Sequence, residues 1–306
     1  MPATLYLIDA SPYIFRAHFS LPSSLKSPDG ARAGAIYGFA SFLLKLTADE
    51  RPTHLAVAFD RNLNGSFRND EFPAYKAQRE EPPAELVAQI DPCLEVAAAL
   101  GAATFIDERY EADDLIGTLC ARLLPPGQPQ KHGAVIVTSD KDLTQLVSDR
   151  VTLLDFAKGE RFDPAAVREK FGVRPDQITD LLGLAGDPVD NIPGVAGIGR
   201  KTAAELLAAF DHLEDLYDRL EELRLSSKIR GAKTLHAKLT AARDIAFLSK
   251  RLATVSADAP ISPKLSTLDA LAWKGADVPR LEALFDRFGF KTIKERIPSG
   301  PSPHSP

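Results

Sequence analysis

Cysteine is almost missing from this chain of 306 residues, which holds only Cys93 and Cys120. So few exclude a small disulfide-stapled fold. Both sit in apolar, helix-like stretches and read as free buried thiols, which suits a reducing, cytoplasmic setting. Long hydrophobic runs are missing too: no stretch reaches the length of a membrane span, and no basic, apolar leader opens the chain. The six histidines show no HxH or HExxH spacing, so nothing points to zinc. Without GxSxG or a Cys/His arrangement, covalent catalysis has no candidate nucleophile. Nor is there an excess of positive charge: 37 Lys and Arg stand against 42 Asp and Glu, a net charge of −5.

What is there is acidic and clustered. Nine carboxylates fall in five groups: Asp9; Asp60; Glu111, Asp113 and Asp114; Asp140 and Asp142; Asp187 and Asp190. Three groups follow the apolar runs TLYLID, HLAVAFD and AVIVTSDKD, which read as buried strands. Past the carboxyl ends of parallel strands, groups from distant parts of a chain share one crevice. Like charges repel there unless cations lie between their oxygens. Oxygen ligands without His or Cys suit Mg²⁺ or Mn²⁺, and two such ions form a device for cutting phosphodiesters. Helix capping explains one acid at a helix start, but three in EADD exceed that need and add repulsion. With the nine set aside, 33 acids face 37 bases, an excess of four positive charges. From Arg224 to Arg251 eight Lys or Arg residues meet one acid, Asp244. That stretch is either a solvated helix face or a phosphate-tracking surface.

The periodicity predicts strands at 4–9, 54–59, 102–106, 134–138 and 151–155, alternating with helices at 34–48, 84–100, 112–124 and from 141 to 148. This is an α/β pattern: a mostly parallel sheet with helices on both faces. After residue 163 helices dominate, at 164–171, 175–184, 200–210, 212–223, 233–246 and 279–288. The expected organisation is an α/β domain over 1–172, a helical region over 173–297 and a disordered tail at 298–306. Residues 61–83 form a long excursion, of which 62–83, with few periodic apolar anchors, is expected to be mobile or disordered without DNA. Its Arg68, Tyr75, Lys76 and Arg79 interleave cations with an aromatic, as single strands of nucleic acid require. Phe67 and Phe72 read as anchors into the core. In PGVAGIGRKTA, Gly194, Gly197 and Gly199 allow a turn whose amides point outward before a helix start. Arg200 and Lys201 add charge there. Arg200 intervenes before Lys201 and no strand precedes the turn, so a nucleotide-binding loop is not indicated; a hairpin holding a nucleic-acid phosphate fits better.

LIDASPYIFRAHF, AVAFD, SFRNDEFPAYKAQR, YEADDLIGTL, TSDKDLTQLVSD and GDPVDNIPGVAGIGRKTAAELL together resemble the 5′-nuclease family. That family includes the 5′→3′ exonuclease domain of bacterial DNA polymerase I, stand-alone bacterial and phage exonucleases, and flap endonucleases. The resemblance runs from residue 4 to residue 292. It implies a PIN-like α/β nuclease domain with an arch at 61–83 and a helix–three-turn–helix at 186–210. It implies that Asp9, Asp60, Glu111, Asp113, Asp114, Asp140, Asp142, Asp187 and Asp190 hold two or more divalent ions. It makes Lys76 and Arg79 the cations at the scissile phosphate, and Arg16, Arg68 and Tyr75 contacts to DNA. The turn from Gly194 to Thr202 would grip duplex DNA, often with a potassium ion at backbone carbonyls. The implied activity is a metal-dependent 5′→3′ exonuclease and 5′-flap endonuclease, a monomer acting in replication or repair on 5′ ends, flaps, nicks or RNA:DNA hybrids. Since no polymerase-like segment follows, a free-standing member is expected. Many members carry Gly after the first acid, where this chain has Ala10. The competing readings are a catalytically silent DNA-junction binder, which would have lost metal acids, and a PIN-type ribonuclease, which would lack the helical region.

Overall fold

Along Thr4–Asp9 (β1) the side chains alternate: Leu5 and Leu7 enter one core, Tyr6 and Ile8 another. Both sets are buried, as in a strand covered on its two faces. His54–Asp60 (β2), Ala103–Asp107 (β3), Gly133–Val137 (β4) and Val151–Asp155 (β5) pair with β1 or with one another in parallel. Glu160–Phe162 (β6) closes one edge antiparallel to β5. The sheet order is β3-β2-β1-β4-β5-β6, so the winding reverses between β1 and β4. The computed structural model describes residues 4–62, 65–124, 132–262, 265 and 267–298. Most of the tail expected at 298–306 lies outside them.

The helices Ser11–Ser20, Gly34–Glu50 and Ile90–Ala99 cover one face. The helix Ala112–Leu123 covers the other, and its core runs on without a break through Ile178–Ala185, Arg200–Phe210 and Arg243–Ala253. The chain then crosses back. Trp273 N donates to Thr53 O (2.9 Å), and Phe285, Phe288, Phe290 and Ile293 join the first core beside the helix Gly34–Glu50.

Several boundaries differ from those predicted. The helix Ser11–Ser20 has no counterpart in the sequence reading. Pro12 suits its first turn, and Tyr13, Ile14, Ala17 and His18 form its buried stripe. The expected helix over 84–100 splits into Ala84–Val87 and Ile90–Ala99. The break falls at buried Gln89, whose Oε1 accepts from Ala35 N (2.9 Å) at the start of the helix Gly34–Glu50. The segment after Asp140 is only a 3-10 turn, Asp142–Leu146. β6 escaped notice because three residues show too little alternation. Ala10 is wholly buried in the core beside the helix Gly34–Glu50, so its methyl packs inward.

Candidate metal centre and phosphate-binding turn

Asp9 ends β1, Asp60 ends β2, and Asp140 follows β4 by three residues, all at the carboxyl edge beside the point where the winding reverses. Asp113, in the first turn of the helix Ala112–Leu123, completes the group. These four and Glu111 line a cleft of about 220 Å³ together with Lys76 and Arg79. Hydroxyls missed by the sequence reading set the acids' orientation. Thr138 Oγ1 donates to Asp9 Oδ2 (2.8 Å) and accepts from Asp140 N (2.9 Å). Ser11 Oγ donates to Asp60, whose other oxygen accepts from Ala112 N (2.7 Å). A Ser or Thr within two residues of Asp9 and of Asp140 was an available signal; Asp60 has none, and its hydroxyl partner, Ser11, comes from after the first strand.

Burial pushes the Asp9 carboxyl well up, and the Asp60 charge adds to it. Asp113 is raised by burial and then by Asp140, Asp9 and Asp60. Asp140 is raised by burial against its bond from the Asp142 amide, with Asp190 and Asp187 adding. Burial and then Asp140 push Asp142 up to about 8. Asp140 thus links an inner group, Asp9, Asp60 and Asp113, to an outer one, Asp142, Asp187 and Asp190. Enclosed oxygen donors that repel one another fit hard divalent cations, which relieve both costs at once. Among the described residues, no three His, Cys, Asp or Glu side chains yet close around a common point. The charges that approach the acids belong to the protein. Lys76 Nζ bonds Glu111, and Arg79 bonds Asp190. Burial lowers the Lys76 ammonium, but Glu111 and Asp190 hold it well above its ordinary value. Lys76 also adopts φ 56°, a left-handed conformation that costs a non-Gly residue energy.

Three expectations need correction. Asp114 does not face the cleft. It is fully buried, accepts both guanidinium nitrogens of Arg68 at 2.8 Å, and takes Glu111 N (3.1 Å) and Ser256 N (2.8 Å). Its four bonds leave it no role toward an ion. Arg68 is not a DNA contact: it is 4 % exposed and also donates to Leu252 O and Thr254 O, both at 2.9 Å. Tyr75 is not a stacking platform, since it is 3 % exposed with its hydroxyl on Glu111 (3.1 Å) and Asp190 (3.3 Å). Phe72 packs against the core as expected, and buried polar bonds of Arg68 and Tyr75 add to this anchoring, which an apolar periodicity could not reveal. Arg16 is exposed on the helix Ser11–Ser20, with its guanidinium 5.7 Å from the Tyr13 ring centroid.

Asp187 and Asp190 lie on the loop that leads into the glycine turn. Asp187 exchanges backbone bonds with Ile192, and Lys76 N donates to Asp190 O (3.0 Å). The turn's three glycines play different parts. Gly194 is buried at φ +61°, its amide donates to Ser249 Oγ (3.0 Å), and an added Cβ would lie 2.3 Å from Gly186 N. It is a packing glycine, not an outward-facing one. Gly197 and Gly199 are exposed, and their amides have no partner among the described residues. Arg200, Lys201 and Thr202 begin the helix Arg200–Phe210 beside them, with both cations exposed. Free amides, a helix start and two exposed cations are the chemistry that suits an anion.

Residues 4–172 match the family model for the 5′-3′ exonuclease N-terminal resolvase-like domain, and residues 173–277 that for the 5′-3′ exonuclease C-terminal SAM fold. DNA polymerase I of Bacillus caldotenax is 42% identical over 303 residues, covering 98% of this chain and 33% of the polymerase. DNA polymerase I of Bacillus subtilis (strain 168) is 40% identical over 297 residues, covering 96% and 32%. The chain spans about a third of the length of these curated relatives. Among solved structures, T5 5′-exonuclease with zinc bound is 21% identical at a TM-score of 0.66, covering 96% of this chain and 100% of that one. The catalytic core of Rad2 in complex with a DNA substrate is 16% identical at 0.61, covering 96% and 90%. At these identities the two structures speak for the fold, while the family models reach from the first strand to the residues just before the last helix. On that match and on its likeness to the polymerases, the chain belongs to the 5′-3′ exonuclease family.

Proposed function

We propose that this chain hydrolyses DNA phosphodiesters at 5′ ends, nicks and flaps, as a divalent-metal-dependent 5′→3′ exonuclease and 5′-flap endonuclease. The observation that carries this is the meeting of Asp9, Asp60, Asp113 and Asp140 at one sheet edge with Lys76 and Arg79 above them. Mg²⁺ or Mn²⁺, in two or more positions, suits the oxygen-only donor set of Asp9, Asp60, Glu111, Asp113, Asp140, Asp142, Asp187 and Asp190. When bound, such ions supply Lewis-acid neutralisation of charge at the scissile phosphodiester. The metal-bound T5 exonuclease and DNA-bound Rad2 core support this reading. Lys76 and Arg79, which pair with Glu111 and Asp190 at the cleft, would neutralise the phosphoryl oxygens of a bound substrate. Arg16 extends the cationic path from the cleft. Gly197, Gly199, Arg200, Lys201 and Thr202 hold a duplex phosphate away from the cut, with no base contact, so binding is insensitive to sequence. A potassium ion at the turn's carbonyls, action on RNA:DNA hybrids, a monomeric state and a cytoplasmic place complete the proposal.

A 5′-labelled flap, a nicked duplex and an RNA:DNA hybrid, each incubated with Mg²⁺ and then with EDTA, test it. Cleavage that EDTA stops and that Asp140→Ala abolishes, with duplex binding kept, is expected. Binding without cleavage in either Mg²⁺ or Mn²⁺ would leave a DNA-junction binder in its place.

A further inference from the structure

Lys141 stands between Asp140 and Asp142 in the loop after β4. By charge alone its ammonium should turn onto those two acids and compete with any cation. The structure points it the other way. Lys141 Nζ lies 3.2 Å from Asp155 Oδ2 and 4.5 Å from the centroid of the Phe162 ring. Asp155 ends β5 and is fully buried. Lys158 supports it from the outer side, with its Nζ 3.5 Å from Oδ2 and its amide 3.4 Å from Oδ1. Burial pushes the Asp155 carboxyl up, but the bond and charge of Lys141, with those of Lys158, together hold it below its ordinary range.

The loop's backbone does not depend on this pair. Lys141 O accepts from Thr144 N (3.0 Å) and Thr144 Oγ1 (2.5 Å), and Asp142 N donates to Asp140 Oδ1 (2.8 Å). With the main chain so fixed, the Lys141 side chain alone chooses between the acids of the centre and Asp155. Neither Lys141 nor Asp155 lines the cleft.

We propose that Asp155 is a positioning residue for the metal centre: it draws the Lys141 ammonium behind the sheet edge and leaves Asp140 and Asp142 free for cations. This rests on reading the cleft acids as a divalent-metal site. A buried counter-charge one layer behind the ligands tunes the site without touching the ion.

Titration of the full chain with Mn²⁺, followed by the electron paramagnetic resonance of the free ion, reads this without DNA or turnover. Asp155→Asn should weaken Mn²⁺ binding about tenfold, because the freed ammonium falls onto Asp140 and Asp142. Adding Lys141→Met should restore affinity to within about twofold of wild type, since the two residues act as one coupled pair. Lys141→Met alone should bind within about twofold of wild type, its ammonium being already withdrawn. Wild-type affinity in Asp155→Asn, no rescue in the double variant, or tighter binding in Lys141→Met would each overturn the proposal. Should circular dichroism show Asp155→Asn unfolded, the double variant and Lys141→Met still decide it. Failure of the wild-type chain itself to bind Mn²⁺ would sink the metal-site reading, and the role of Asp155 with it. That outcome is distinct from tight wild-type binding that ignores Asp155.

Discussion

Arg68 carries a charge that sequence alone assigns to DNA, yet it spends that charge inside the protein. Its guanidinium forks onto Asp114 at 2.8 Å and reaches Glu111 at 3.0 Å. Removing one member of a buried pair strands the other, which costs about 3–5 kcal/mol. Arg68→Met should therefore lower unfolding stability by that amount in urea titration, and Asp114→Ala by a similar one. Asp140→Ala, which removes repulsion, should leave the fold intact. If Arg68→Met kept wild-type stability but lost DNA affinity, Arg68 would be a DNA contact after all. The two cysteines stay chemically quiet: burial pushes the Cys120 thiol up to about 12, and Cys93 higher still.

A turn is the element where residue type and backbone meet most tightly. The three glycines at 194, 197 and 199 look alike in sequence, but their surroundings part them. Gly194→Ala combines a positive φ, which costs about 1–3 kcal/mol, with a Cβ driven into the backbone of Gly186. Gly199 has φ −93° and open space around it, so Gly199→Ala should change stability by less than about 0.5 kcal/mol. Thermal denaturation of the two variants checks this. Equal stabilities would mean that the turn does not pack as described. Gly197 falls between them: its φ of +75° strains any side chain, but a Cβ there meets the movable end of Lys238, whose ammonium donates to Gly197 O at 3.2 Å, and not backbone.

On the scale of the whole molecule, the last described segment ties the two faces of the sheet together. After packing on one face, the chain returns past β2, where Ala272 bridges His54, and sets Phe285, Phe288, Phe290 and Ile293 into the other. Burying each such side chain is worth about 1.5–3 kcal/mol. Together they rival the roughly 5–15 kcal/mol by which a domain is stable. A chain ending at Asp277, where the second family model stops, should thus lose its cooperative unfolding transition in calorimetry. A truncated chain that melted like the full one would show this strap to be dispensable.

The apolar runs at 4–9, 54–59, 134–138 and 151–155 determined the parallel sheet, because each is too short for a helix and bounded by acids or turn residues. The strand-end positions of Asp9, Asp60 and Asp140 then brought the acids of the proposed metal centre to one edge, since parallel strands end together. Sequence could not say which acids face inward. Asp113 and Asp114 are neighbours in the chain, yet the roughly 100° of rotation between successive helical residues points the first into the cleft and the second at Arg68. Nor could it show that Thr138 joins Asp9 to Asp140, that Lys141 turns to Asp155, or that the final helix crosses to the far face. Those facts depend on contacts between separate segments, Lys141 with Asp155 across 14 positions, Arg68 with Asp114 across 46 and Thr138 with Asp9 across 129: local pattern fixes the strand, but which partner a charge finds is settled only when segments pack and leave it no water.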